Sequence, residues 1–348
     1  MEIGLALGGE LNLSINDQKI LSKEAASLGY TSIWTNEGTG YDGFHMCSQR
    51  WSATAEVVAG GLTTGIAVSP VLHRTPVGFA MSAATLNEIT DGRFILGIGT
   101  GGAYRPESRT SVGFPDSPPI SLMRDYLTII KRLLSGNEVN YTGKSMRLNG
   151  IKLGLTNASR TPIYAAALGP QMLKLSGELA DGVCLNWCTP EQVSWSRTLV
   201  SEGAHRANRD PETIPLVSYI RVSVDDNVEK SRRAFAKSLM GYALGPRVPT
   251  IEERKQGYRA HFERAGFAKN LAYIDRMRES GASTEQIVDA FPSNMLSSIG
   301  YYGPAKRASQ GFRKAAEGLD IGIVRVVPTE PGLESIRNIM LACAPINS

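Results

Sequence analysis

Short apolar runs alternate with helical text eight times along this chain, and that rhythm leaves few folds open. The runs are Glu2–Ala6, Thr31–Trp34, Leu62–Val68, Phe94–Ile98, Ile163–Ala167, Val183–Leu185, Pro215–Val224 and Ile321–Val327. Most are apolar at consecutive rather than alternate positions, as in strands covered on both faces. Helix punctuation separates them. Asn16 is read as the cap of a first helix closed by Gly29, and Gln49–Ala59 as a second, after a polar loop Thr35–Cys47. Thr75-Pro76 is a cap followed by proline at the first helical position, and Thr189-Pro190-Glu191-Gln192 is a capping box. Gly169-Pro170 opens another helix, running to Leu179. Repeated βα units imply parallel strands with right-handed crossovers, and eight of them suggest a closed (β/α)8 TIM barrel. A doubly wound open sheet is the alternative.

Two segments break the rhythm. Glu138–Leu148 reads as a small hairpin turning at Thr142-Gly143. From Val228 to about Pro292 the text is helical and charged with no strand signal, so residues 228–300 are read as a helical insertion before the eighth strand. It is large enough to form a lid. The whole of 1–348 is read as one domain.

Composition narrows the class. With 348 residues and 42% hydrophobic content the chain can bury a large core. The net charge of +4 is scattered, with no basic run, so nucleic acid is not an expected partner. The four cysteines make no disulfide framework, and Cys184 and Cys188 lack the His or Cys pair a zinc site needs, so no metal is expected. MEIGLALGG has no basic leader, and no stretch of 18 apolar residues occurs, so a soluble cytoplasmic protein with no membrane partner is expected.

In a barrel the C-terminal strand ends form the site. The fourth run continues as DGRFILGIGTGGAY, whose glycines let a backbone pass close to a ligand. It resembles a dinucleotide G-x-G-x-x-G, but no acidic residue clearly ends a following strand. Gly169-Pro170 places a helix N-terminus at another strand end, a favourable position for phosphate.

Four segments carry a family resemblance: GFAMSAATLNEITDGRFILGIGTGG, IYAAALGPQMLKLSGELADGV, LTTGIAVSPVLHRTP and SLGYTSIWTNE. Together they resemble the bacterial luciferase-like superfamily, from Met1 to about Pro328 and least across the insertion. That resemblance implies a (β/α)8 barrel binding coenzyme F420 or FMN, and the Gly-rich turn and AALGP are most similar to the deazaflavin branch. By position, Thr100 and Gly101 would lie along the cofactor with Asn36 nearby. Backbone N–H groups of Ala166, Ala167, Leu168 and Gly169 would hold its phosphate. A non-proline cis peptide is implied at Ile66–Ala67 or Ala67–Val68, backing the ring. A homodimer is expected by resemblance alone.

The departures are informative. Where deazaflavin enzymes often read Asp-His, this chain reads Asn36-Glu37, and the position of an acid after the Gly-rich turn is Gly102. Glu37 is therefore the candidate catalytic acid, with a pKa raised by burial, or else a residue that hydrogen-bonds the ring edge or backbone. Tyr41, His45 and Tyr104 are candidate substrate contacts, His73 a loop hydrogen bonder, and His205 and His261 solvated. The expected activity is F420-dependent hydride transfer to or from a small organic molecule, as C=C or C=N reduction or its reverse. The alternatives are an FMN-dependent monooxygenase and a non-catalytic barrel binding a flavin-like ligand.

Overall fold

The computed structural model describes residues 1–101, 106–112, 116–156 and 158–347. Its strands are β1 (Glu2–Ala6), β2 (Ser32–Thr35), β3 (Thr63–Pro70), β4 (Phe94–Gly99), β5 (Val139–Thr142), β6 (Arg147–Ile151), β7 (Ile163–Ala166), β8 (Gly182–Asn186), β9 (Leu216–Val224), β10 (Gly300–Gly303) and β11 (Ile321–Val326). β5 and β6 form the expected hairpin. The other nine run in the order β10-β9-β11-β1-β2-β3-β4-β7-β8, and a further β8–β9 pairing closes eight of them into a (β/α)8 barrel. The ninth, β10, lies parallel to β9 and pairs Gly300 with Arg221. GYYG escaped notice because two glycines bracket only two β-forming residues.

Several helix starts follow the sequence. Thr75 accepts from the Gly78 N–H, and Thr189 and Gln192 exchange both bonds of their capping box. Two differ. Ser14, not Asn16, caps the first helix, accepting from the Asp17 N–H. The second helix spans Gly43–Ala55 and takes in much of the supposed loop. Asp42 caps it by accepting from the His45 N–H, and Phe44, Cys47 and Ala53 turn inward.

The chain divides into two compact units. The first comprises Gly4–Cys184 and Arg197–Val217, and the second Met1–Ile3, Leu185–Ser196 and Ser218–Ser348. In the first, Phe79, Phe94, Tyr126 and Ile130 sit in one buried cluster. In the second, Trp187, Phe235, Phe262, Phe291 and Met295 form another, so the helical insertion carries its own apolar interior under the charged face read from sequence. Among the described residues no helix is long and apolar enough to cross a membrane.

Asp125 ties the hairpin down. Its buried carboxylate accepts from the Tyr141 hydroxyl at 2.7 Å and from the Ser145 and Met146 N–H groups at 2.7 and 2.9 Å. Asp125→Ala would leave three donors without their acceptor. Stability is expected to fall by about 2 kcal/mol, read from urea unfolding; an unchanged midpoint would mean water replaces the carboxylate.

Candidate active site

The C-terminal end of β2 delivers Glu37 into the first unit. The residue is 7% exposed, and its carboxylate is saturated with donors. Oε1 accepts from the Gly43 N–H at 3.0 Å and from Arg74 at 2.8 Å; Oε2 accepts from Arg74 at 2.6 Å and from the Ser69 hydroxyl. Arg74 also pairs with Asp42 and lies 4.8 Å from the Phe44 ring centroid and 5.7 Å from that of Phe79. Burial alone would raise the Glu37 pKa. The hydrogen bonds from Arg74, Ser69 and Gly43 outweigh it and hold the carboxyl below its usual range. The expected raised pKa is therefore corrected: Glu37 is a held carboxylate at neutral pH, not a poised acid.

Glu37 also grips β3. Its N–H donates to the Val68 carbonyl at 3.2 Å, one residue before Ser69. The Ala67–Val68 bond is cis, at one of the two positions implied by resemblance, and the β3–β4 register shifts between Ile66 and Ser69. The β4 glycines answer this bulge. A Cβ on Gly97 would lie 2.4 Å from the Ile66 carbonyl oxygen, and one on Gly99 would lie 2.8 Å from the Ala166 Cβ. These two glycines admit neighbouring chain.

Gly101 adopts φ +52°, and a Cβ there would meet that of Pro70 at 2.7 Å. Gly101→Val is thus expected to lower stability by about 2 kcal/mol whatever binds beside it, measured by thermal unfolding of the ligand-free protein. A variant as stable as the parent would refute the strain. Thr100 beside it is half-buried. Gly169 has open space where its Cβ would be, and no side chain caps the helix Pro170–Leu179 that it begins. One expected phosphate donor is withdrawn. The Ala167 N–H donates to the Cys184 carbonyl within the sheet, which leaves the turn beyond it.

Asn36, Ala166 and Leu168 are half-buried, while Ile66 and Ala67 are buried. Tyr41 stands 53% exposed. His45 lies on the helix rather than in a loop, its side chain 90% exposed and 2.8 Å from the Asp42 carboxylate. His73 is partly exposed, 4.0 Å from Glu37. Tyr104 and Gly102 lie outside the described residues.

The second unit holds a group that sequence reading passed over. His261, expected in solvent, is 2% exposed. Its Nε2 meets the Trp187 carbonyl at 2.9 Å and its Nδ1 meets the Gln192 amide at 3.3 Å, so a neutral ring donating from Nε2 satisfies both. Burial lowers its pKa from 6.5 to about 4, and burial pushes the neighbouring Cys188 thiol up to about 12. Neither is charged at neutral pH. The unfolded His261 takes up its proton first. Its stabilising contribution is full above pH 6.5 and lost as pH falls from about 6.5 to 4. Urea midpoints at pH 7 and 4.5 are expected to differ, with the difference reduced in His261→Gln; an equal difference would refute the assignment.

Trp187 follows β8 with φ +56°, and its ring lies 3.8 Å beneath the Arg221 guanidinium of β9. Arg221 donates to the Asn186 side-chain oxygen, whose amide nitrogen donates to the Tyr258 hydroxyl at 2.6 Å. A signal was present: arginine interrupts the apolar runs LVSYIRVSV and IGIVRV.

Comparison with known proteins places this geometry. Over 194 residues the chain is 34% identical to 5,10-methylenetetrahydromethanopterin reductase of Archaeoglobus fulgidus, which covers 56% of this chain and only 55% of that relative, about half its length. Among solved structures, the coenzyme F420 dependent tetrahydromethanopterin reductase from Methanopyrus kandleri superposes with a TM-score of 0.77 at 20% identity, over 99% of this chain and 98% of that one. The oxygenating constituent of 3,6-diketocamphane monooxygenase from Pseudomonas putida, in complex with FMN, superposes with a TM-score of 0.63 at 16% identity, over 99% and 98%. At those identities the two structures speak for the fold. The luciferase-like monooxygenase family model matches residues 2–320, nearly the whole chain, and the protein belongs to that family.

Proposed function

We propose that the protein is an F420-dependent oxidoreductase transferring a hydride between the deazaflavin and a small organic molecule, in C=C or C=N reduction or the reverse. The observation that carries this reading is the bulge of β3, which shifts register between Ile66 and Ser69 and is held between Glu37 and the glycines of β4. The F420-dependent hydroxymycolic acid dehydrogenase of Mycobacterium tuberculosis, 26% identical to this chain over 225 residues, supports the choice of cofactor.

The residues present fit the group. Ala67 and Val68 would back its ring, Thr100 and Gly101 would run along it, and the Leu168-Gly169 turn would take its phosphate beside the open Gly169 position. Bound there, F420 would supply the carbon that gives or takes the hydride. The chain itself supplies rigidity: Arg74 and Asp42 hold Glu37, and Glu37 holds Val68 and Ser69. Holding two reacting carbons face to face accounts for most of the catalysis expected of such a site. Glu37 is charged, so the proton for a reduction comes from elsewhere, and the exposed Tyr41 hydroxyl is the candidate at this end of the unit.

Titrating the purified protein with F420 and with FMN tests the reading. Saturable F420 binding is expected, followed by oxidation of the reduced cofactor in stopped-flow when a substrate panel is added. FMN binding without F420 binding would establish the second reading, a flavin monooxygenase, which the FMN-bound structural relative favours. F420 binding without turnover on any substrate would favour a non-catalytic barrel.

A further inference from the structure

We propose that Arg50 is a positioning residue of the candidate site: it fixes the two strand ends from which Gly8-Gly9 and Asn36-Glu37 emerge. What those ends are fixed for rests on the F420 reading above.

Burial and direction come first. Arg50 is 1% exposed on the inward face of the second helix, a face it shares with Gly43, Cys47 and Thr54. Its guanidinium reaches two strands at once. Nη2 donates to the Leu7 carbonyl, just past the end of β1, at 2.6 Å and to Gln18 Oε1 at 2.5 Å; Nη1 donates to the Trp34 carbonyl of β2 at 3.2 Å. The Trp34 oxygen also accepts from the Leu7 N–H at 3.1 Å. One side chain therefore pins both strands where their pairing ends. Gln18 is 7% exposed on the first helix, Ile15–Ser27, and its amide donates to the Leu13 carbonyl at 3.3 Å, which turns its oxygen toward Arg50.

Span comes second. Gly43 holds the Glu37 carboxylate through its N–H, and Arg50 holds the Trp34 carbonyl. On the helix the two holds are seven residues apart, about 10 Å. On the chain leaving β2 they are three residues apart, also about 10 Å when extended. The helix thus grips that exit at two points of matching span, and Glu37 is fixed through its backbone as well as through its carboxylate.

The hold extends to β3. Trp34 is fully buried, and its indole lies against Gly65, where a Cβ would come 2.4 Å from the ring. Gly65 adjoins Ile66, at which the register shift of the bulge begins. A displaced Trp34 would disturb that bulge through Gly65 and through Glu37 together. The residue type matters: a guanidinium presents two nitrogens to two strands, whereas a lysine ammonium presents a single point.

The test compares Arg50→Lys and Gln18→Leu with the parent, as full chains at a temperature where all are folded. Amide hydrogen exchange is measured without ligand, and F420 is then titrated. In Arg50→Lys the Leu7 and Glu37 amides are expected to exchange at least ten-fold faster, with those of the helix Pro119–Leu134 unchanged. F420 affinity should fall at least ten-fold. Gln18→Leu leaves the guanidinium in place but unsteadied, so both effects should be several-fold; it carries the test if Arg50→Lys does not fold. Equal acceleration in Pro119–Leu134 would make Arg50 a general stabiliser and overturn the proposal. So would parental exchange at Leu7 and Glu37, or faster exchange there with parental F420 affinity. If the parent itself binds no F420, the cofactor reading falls, and the exchange rates alone decide whether Arg50 fixes the strand ends.

Discussion

Asp275→Ala is expected to destabilise the second unit by about 3–5 kcal/mol, the cost of breaking a buried ion pair on one side. Asp275 is 3% exposed and serves three arginines: Arg259 at 2.8 Å, Arg254 at 3.5 Å and Arg278 at 3.8 Å. Its oxygens make no well-directed hydrogen bond among the described residues, so the attraction is one of charge and proximity. Among the described residues Arg259, itself 6% exposed, would keep only Glu263, at 2.6 Å. Arg278 is also bonded to the Leu244 and Gly245 carbonyls and cannot swing to water without releasing them. The loss should appear in urea unfolding. Hydrogen exchange should speed first in the helices Gly257–Phe262 and Ala268–Glu279. A change under 1 kcal/mol would mean that the arginines solvate themselves.

This pair shows where sequence reading stops. Caps and glycines are local, and they placed most helices and all eight barrel strands to within two residues. The exceptions are local too: Gly43 and His45 hid a helix whose inward face, Phe44 and Cys47, is short, and β10 is only four residues long. The position of the cis bond came from resemblance, not from propensity. Charge pairing is another matter. Glu37 and Arg74 stand 37 residues apart, and nothing near either announces the other. Burial of Glu37 was foreseen and its consequence inverted, because desolvation and a guanidinium push a carboxyl in opposite directions and only the fold decides which wins. His261 was misplaced for a similar reason: charged neighbours suggested solvent, yet the last four residues of its helix, Arg259 among them, are buried and its ring meets the Trp187 carbonyl.

Glu37→Gln is the second large effect expected, and it separates two roles for the residue. Both carboxylate oxygens accept hydrogen bonds, from Gly43, Ser69 and Arg74. Glutamine offers one acceptor oxygen and must turn an NH2 group toward a donor. Among the described residues Arg74 would keep only the part-exposed Asp42 as its carboxylate partner. A loss of about 3 kcal/mol is expected, at the low end for a buried pair because Asp42 remains. Since the folded pKa of Glu37 is depressed, its contribution is full above the ordinary carboxylate value of about 4.5 and disappears as pH falls below it. The variant should lack that part of the acid slope. Affinity for the proposed cofactor, F420, should fall at a temperature where the variant is still folded, because Val68 and Ser69 lose their anchor. A double-mutant cycle with Arg74→Met should be strongly non-additive, the second change costing little once the first is made. A proton-donating Glu37 would behave differently, with stability, acid slope and cofactor affinity preserved while turnover alone collapsed. That pattern would return the residue to the role of acid and remove the Arg74 pair from the account of the site.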